Sequence, residues 1–397
     1  MKLKLIDFIK EHTDWEVLLS NKPFCLNITR QVWNNLNLVM FKYNQIESNF
    51  NESIVRECRG LILNEDTYDV VSYPFNKFGN AGEGVWVDNI DWNSAHVLEK
   101  CDGSIIKIVK VNGKLLISTN GCILASKCNI SNITESSLKN FEDLFYWAIK
   151  EQFPNFKQDW FEQLFEEGYT YIFELCTNAN KIVVPHPKPK VYFIGIRNNK
   201  TYKEIYIFDH DFSKIFHTPK IFPLKTLDDV VNAASKLDWK NEGYVVSDKY
   251  FKRVKVKSLE YLKVHRLAGN GVLSTRRAID LYMENEQLEF LAYFPEYKSA
   301  FDEIDKRFNY TFMELGTSAV ILFSKIDDGS LPTRKDQAAW ILANTNNTKH
   351  SGILFKFLNG YTVYDIDNID RYLDELKQIM IDLYHKNANS FVAMLGY

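Results

Sequence analysis

Two residues, Asn112-Gly113, constrain this chain more than any others. They separate the apolar run Ile105–Val111 from Lys114–Thr119, and Asn-Gly is the strongest short signal for a two-residue hairpin turn. An antiparallel hairpin is therefore predicted over 105–119. Just ahead of it stands Lys100-Cys101-Asp102-Gly103-Ser104, at the end of the apolar approach Val97-Leu98. A lysine at the mouth of a strand, followed at once by an Asp-Gly turn, is a place where an amine nucleophile can be held. Glycine there lets the backbone lie close against a nucleotide. A surface turn would explain the same five residues, so the decision rests on the rest of the chain.

Other strand-like runs carry charges at their ends or inside them. Arg56-Glu57-Cys58-Arg59-Gly60 leads into Leu61-Ile62-Leu63, and Tyr73–Asn80 is a Pro- and Gly-marked loop with Lys77 between aromatics. The arginines read either as a solvated edge or as guanidinium forks aimed at phosphate or ribose. Glu174 interrupts the β-rich run Tyr169–Leu175, and Glu242 leads Gly243-Tyr244-Val245-Val246. Pro185–Lys190 is a rigid basic loop ahead of the strand Val191–Arg197. In Arg253-Val254-Lys255-Val256-Lys257 the period of two puts three cations on one face and both valines on the other. Such a face is either a lysine-protected edge or a seat for a triphosphate. Between these runs, Ser136 or Ser137 is predicted to cap a helix with Leu138, Phe141, Leu144, Phe145 and Ala148 on its apolar face. Thr226-x-x-Asp229 opens another as a capping box.

From about residue 263 the spacing turns helical, over Ala278–Tyr293, Tyr310–Ile326, Arg334–Ala343 and Ile366–His385. At 397 residues and 46% hydrophobic content, the chain can bury two cores. The expected organisation is α+β: antiparallel sheets flanked by helices over 1–262, then a mostly helical domain over 263–397. The net charge of −3 excludes a generally basic nucleic-acid binder and leaves only local patches. Six scattered cysteines without CxxC argue against a structural zinc and for a reduced, cytoplasmic setting. No apolar stretch is long enough to span a bilayer.

Taken in order, the motifs resemble those of ATP-dependent RNA ligases of the T-even bacteriophage RNA ligase 1 type, within the covalent nucleotidyltransferase superfamily. The resemblance rests on Lys100-x-Asp102-Gly103-Ser104, Phe173-Glu174, Val191–Arg197, Glu242-Gly243-Tyr244-Val245 and Lys255-Val256-Lys257-Ser258, with Glu57-Cys58-Arg59-Gly60 and Lys77-Phe78 upstream. It continues more faintly through Arg334-Lys335 and Leu358-Asn359-Gly360-Tyr361. Two positions depart from the family pattern: Gly79 where an aromatic is common, and Asn120 where a basic residue is common. Both bear on phosphate or RNA contacts, and neither touches the nucleophile.

The resemblance implies a nucleotidyltransferase (adenylyltransferase) domain followed by a helical domain that selects RNA, such as a nicked tRNA. It implies three steps: adenylylation of the enzyme, transfer of AMP to an RNA 5′-phosphate, and sealing by an RNA 3′-hydroxyl. It assigns Lys100 as nucleophile, with Lys255, Lys257 and Glu242 in the chemistry. Asp102, Gly103, Arg59, Lys77 and Glu174 join them in binding the nucleotide, and Glu174 and Glu242 hold Mg²⁺ or Mn²⁺. Lys255 and Lys257 are expected to favour the neutral form of Lys100. Tyr192 and Phe193 are the aromatic candidates for stacking on adenine. The expected partner is RNA with 5′-phosphate and 3′-hydroxyl ends, with no membrane and the protein a monomer. A DNA ligase or capping enzyme would share the Lys100 core but carry a β-barrel after the last motif. A catalytically inactive RNA-binding protein that kept the fold is the rival from another class.

Overall fold

A computed structural model describes residues 3–84, 87, 89–130, 138–268, 273–283, 287–345, 348–360 and 369–397. The chain divides into two compact units, Met1–Val272 and Leu273–Tyr397.

The first unit holds three antiparallel sheets. Helices α1 (Lys4–Glu11) and α2 (Trp15–Ser20) precede β1 (Leu26–Trp33) and β2 (Leu36–Tyr43). Helix α3 (Ser53–Glu57) leads into β3 (Arg59–Asn64) and β4 (Val70–Ser72), and these strands form the first sheet in the order β1-β2-β3-β4. Next come β5 (His96–Glu99), β6 (Ser104–Val111), β7 (Lys114–Thr119), α4 (Phe141–Gln152), α5 (Gln158–Gln163), β8 (Tyr169–Cys176), β9 (Lys190–Asn198) and β10 (Glu204–Ile205). The second sheet runs β10-β9-β8-β6-β7. Then follow α6 (Phe212–Ile215), β11 (Ile221–Phe222), α7 (Leu227–Ala234), β12 (Gly243–Ser247), β13 (Arg253–Lys257) and α8 (Leu259–Ala268). The third sheet runs β11-β5-β12-β13.

The predicted hairpin is β6–β7, paired from Val111↔Lys114 to Ile106↔Thr119. Asn112 and Gly113 both take positive φ, 51° and 73°, as a two-residue turn of this hand requires. Alternation on β8 sends Phe173 and Leu175 into a core with Phe145, Phe161, Phe193 and Phe212. Glu174, between them in sequence, is thereby turned to the other face. Helix α4 starts later than the serines predict: Asn140 caps it, accepting from the Asp143 amide at 2.9 Å. Ser136 and Ser137 lie outside the described residues. Thr226 and Asp229 form the capping box that opens α7. Val230 and Ala234 of that helix bury against Val97, Tyr244, Val246, Val254 and Val256. This fixes one face of the third sheet as core and leaves Leu98, Val245, Arg253, Lys255 and Lys257 on the opposite face.

In the second unit, α9 (Thr275–Met283) and α10 (Gln287–Tyr293) lead to α11 (Lys298–Asp327), followed by α12 (Arg334–Ala343), α13 (Thr348–Gly360), α14 (Ile369–Lys386) and α15 (Ala388–Met394). Phe301, Ile304, Phe308, Leu315, Ala319 and Leu322 form the buried stripe of α11, at the three- and four-residue spacing of one helix face. Helix α8 runs on past residue 262 within the first unit. Among the described residues, no helix is long and apolar enough to cross a membrane.

Candidate active site

The second and third sheets face each other across a cleft. Leu98, Val245 and Arg253 line it from one sheet, Ile105, Glu174 and Ile194 from the other, with Arg59, Phe75 and Phe78 at its side and Lys100 at its end. Its walls are largely apolar, with Arg59, Lys100 and Glu174 as polar groups that could fix a ligand's orientation.

Lys100 follows β5 directly, and its amide donates to the Gly243 carbonyl at 2.9 Å. That bond brings the β5 end beside Glu242. The Lys100 Nζ donates to Glu242 Oε2 at 2.7 Å, and Lys257 Nζ sits 3.0 Å from Glu242 Oε1. Glu242 is only 5% exposed, so one buried carboxylate is shared by two ammonium groups. Gly243 makes this approach possible: at φ 137° a Cβ would lie 2.1 Å from the Val256 carbonyl oxygen. Burial pushes the Glu242 carboxyl up, but Lys100 and Lys257 outweigh it and hold it below its ordinary value.

The same carboxylates correct one expectation. Burial pushes Lys100 down, yet Glu242 and then Glu174 outweigh it, so Lys100 is held above its ordinary value as an ammonium ion. Lys255 shows the opposite behaviour. Burial first, then Lys77, Lys257, Lys100 and Arg59, push it down to about 7. Lys77 is lowered to about 8 by burial and Arg59, and its Nζ lies 5.0 Å from the Phe50 ring centroid and 5.2 Å from that of Tyr43. Glu174 is pushed up to about 7 by burial, with Lys100 opposing. The Arg59 guanidinium lies 5.0 Å over the Phe78 ring.

The three cations of β13 are not equivalent. Arg253 pairs with buried Glu204, which also takes Arg197, and stacks 4.2 Å over Phe75. Lys257 pairs with Glu242. Lys255 alone among the three has no carboxylate partner among the described residues. Its amide donates to Gly79 and its carbonyl accepts from Ala81, so the Lys77–Asn80 loop lies along the β13 edge.

Asp102 and Gly103 are used inside the protein. The Asp102 carboxylate accepts from the Val183 and Val184 amides at 3.1 and 2.8 Å and from the Tyr261 hydroxyl at 2.9 Å. It ties the Lys100 strand to α8 and to the loop after β8. A Cβ on Gly103 would lie 2.4 Å from the Leu175 carbonyl oxygen, so packing on β8 already requires glycine there. Phe193 is core, and Tyr192 lies beyond the cleft, so neither stands against its apolar walls. Asn120 packs its backbone on Gly60, where a Cβ would meet the Asn120 carbonyl oxygen at 2.8 Å. Sequence reasoning missed Tyr261 and Glu204; the first sits in an ordinary helical turn and the second in a two-residue strand, and neither position carries a motif.

The RNA ligase family profile matches residues 57–261. A protein of Autographa californica nuclear polyhedrosis virus, named as a bifunctional polynucleotide kinase/RNA ligase, is 32% identical over 289 residues, covering 69% of this chain and 40% of that protein. An RNA ligase of Rhodothermus phage RM378 is 24% identical over 315 residues, 65% of this chain and 70% of that one. The chain thus spans less than half the length of the first of these relatives. Among solved structures, an archaeal ATP-dependent RNA ligase aligns over 98% of this chain and 99% of its own, at 11% identity and a TM-score of 0.44. The matched span of the profile is just over half the chain and contains Arg59, Lys77, Lys100, Glu174, Glu242, Lys255 and Lys257. The chain belongs to the RNA ligase family.

Proposed function

We propose that the protein is an ATP-dependent RNA ligase that works through a lysyl-AMP on Lys100 and joins RNA 5′-phosphate and 3′-hydroxyl ends. The observation that carries this reading is the Lys100–Glu242–Lys257 arrangement, with Lys100 on the wall of the cleft between the two sheets. Leu98, Val245 and Ile194 offer apolar surface to a purine, and Arg59, Lys77 and Lys255 offer positive charge to its phosphates. Glu242 Oε2, hydrogen-bonded to Nζ, orients Lys100, which must lose its proton before it can attack. The Nζ lone pair then bonds to the α-phosphorus while the bond to the β-phosphate bridging oxygen breaks, and pyrophosphate leaves. Charge developing on the phosphoryl oxygens falls to Lys255 and Lys257. In the later steps an RNA 5′-phosphate oxygen displaces Lys100 from AMP, and an RNA 3′-hydroxyl displaces AMP.

Glu242 already serves two ammonium groups, so Glu174 is the carboxylate that fits a divalent ion. It would hold a hydrated Mg²⁺ or Mn²⁺ brought with the triphosphate, and when bound the ion supplies charge neutralisation on the phosphates. Asp102 and Gly103 act as scaffold for Lys100. The helical unit 273–397 is assigned to the choice of RNA, with nicked tRNA as the substrate to try first. The test is sealing of a panel of 5′-phosphorylated RNAs with ATP and Mg²⁺; failure to seal any member, with the protein folded, would sink the reading.

Lys255 gives a pH-dependent prediction. An approaching triphosphate favours its ammonium form, so binding takes up a proton where free Lys255 has lost it. Affinity for a non-reactive ATP analogue is therefore expected to weaken as pH rises through about 7. Glu174, also near 7, gains negative charge over the same range and adds the same sign in metal-free buffer. Lys255→Met should bind more weakly at low pH and keep only the part of this dependence that Glu174 contributes, while melting at or above the wild-type temperature. Calorimetry in buffers of different ionisation enthalpy reads the proton uptake directly. Lys257→Ala, by contrast, is expected to melt below wild type because it strips Glu242 of one partner.

A further inference from the structure

A second hollow adjoins the nucleotide cleft, and Glu99, Lys100 and Cys101 line both. Tyr192, half-buried and paired in register with Glu174, contributes to its wall, while Phe222 and buried Tyr244 close its floor as part of the core. Lys220 and Lys240 stand at the same hollow and are exposed. Its acids are otherwise engaged. Glu242 serves Lys100 and Lys257, Asp102 serves Val183, Val184 and Tyr261, and a Glu99 oxygen lies 3.4 Å from the Lys220 amide. Beside these hydrogen-bonded acids the hollow offers the Tyr192 ring and two exposed lysines next to the nucleophile.

Resting on the RNA-ligase reading above, we propose that this hollow seats the terminal nucleotide of a single-stranded RNA end, its base against Tyr192 and its phosphate between Lys220 and Lys240. Unpaired nucleotides are held by aromatic stacking combined with phosphate pairing, and this hollow supplies both. Its shared border with Lys100 and Glu242 puts the seated end next to the AMP that Lys100 would carry.

The test is fluorescence anisotropy of the full chain with two short oligoribonucleotides. One is 5′-phosphorylated and labelled at its 3′ end; the other has a free 3′-hydroxyl and is labelled at its 5′ end. Lys220→Ala/Lys240→Ala is expected to weaken binding on the order of tenfold at low salt. The log–log salt slope should become shallower by about 0.7 for each phosphate no longer neutralised. Tyr192→Ala should weaken binding on the order of tenfold with the slope kept. Lys220→Arg/Lys240→Arg should restore affinity. Weaker binding of the 5′-phosphorylated probe seats the phosphate-bearing end, and weaker binding of the other seats the hydroxyl-bearing end. Wild-type affinity and slope in the double alanine variant, for both probes, overturn the proposal, as does a wild-type chain that binds neither. Lysyl-AMP formation, measured alongside, reads the cleft separately. If RNA binds as expected but no lysyl-AMP forms, the ligase reading fails and the subsite stands; if lysyl-AMP forms and the variants bind like wild type, the reverse holds.

Discussion

Lys100→Ala is expected to take up no covalent label from ATP labelled at the α-phosphate. The nearby ammonium groups cannot substitute for it. Lys257 is bound to the opposite oxygen of Glu242, and Lys255 projects from β13 and not from the end of β5. The fold should survive, since Glu242 keeps Lys257 and the Lys100–Gly243 backbone bond does not depend on the side chain. Lys100→Arg separates chemistry from structure. It can keep an ion pair with Glu242, but guanidinium stays protonated at any workable pH and cannot attack phosphorus. It too should remain unlabelled while melting close to wild type. Labelling of either variant at the wild-type level would mean that the nucleophile lies elsewhere.

Glu242→Gln is expected to slow adenylylation on the order of a hundredfold or more, because it removes the charge that orients Lys100 and Lys257 at the phosphoryl group. The sign of its pH effect follows from the geometry. A carboxylate next to an ammonium stabilises the charged form, and Glu242 is the main group holding Lys100 above its ordinary value. Without that charge the Lys100 proton leaves more easily, so the alkaline rise of the labelling rate should move to lower pH even as the rate falls. Glu242→Ala should do the same and also melt lower, since two partly buried ammonium groups lose their counter-charge. A variant with the wild-type rate and pH profile would take Glu242 out of the chemistry.

What is legible in the sequence is local. Asn112-Gly113 specifies the β6–β7 turn because only a few residues tolerate its positive φ. The Arg253–Lys257 alternation fixes which residues share a face of β13, since strand geometry has a period of two. Which of those cations are neutralised is not legible, for their partners come from other strands and loops. Glu204 reaches Arg253 from β10, and Glu242 reaches Lys257 from the residue before β12. Of the three cations on that face, only Lys255 is left without a carboxylate among the described residues, and Arg253 is a strut between Glu204 and Phe75. Asp102 shows the same limit. Its place in the motif suggests contact with the nucleotide, but a carboxylate that accepts two amides and a tyrosine hydroxyl has little capacity left for a ligand. The glycines also answer to more than their motifs suggest: Gly103 packs on the β8 backbone and Gly243 on β13, approaches that no local pattern announces.

The most direct measurement is the mass of the intact protein after incubation with ATP and Mg²⁺, followed by fragmentation to place the adduct. The account expects one added AMP per chain, carried by Lys100 and released when a 5′-phosphorylated RNA is supplied. No mass gain in a folded, ATP-binding protein, or an adduct on any other residue, would contradict it.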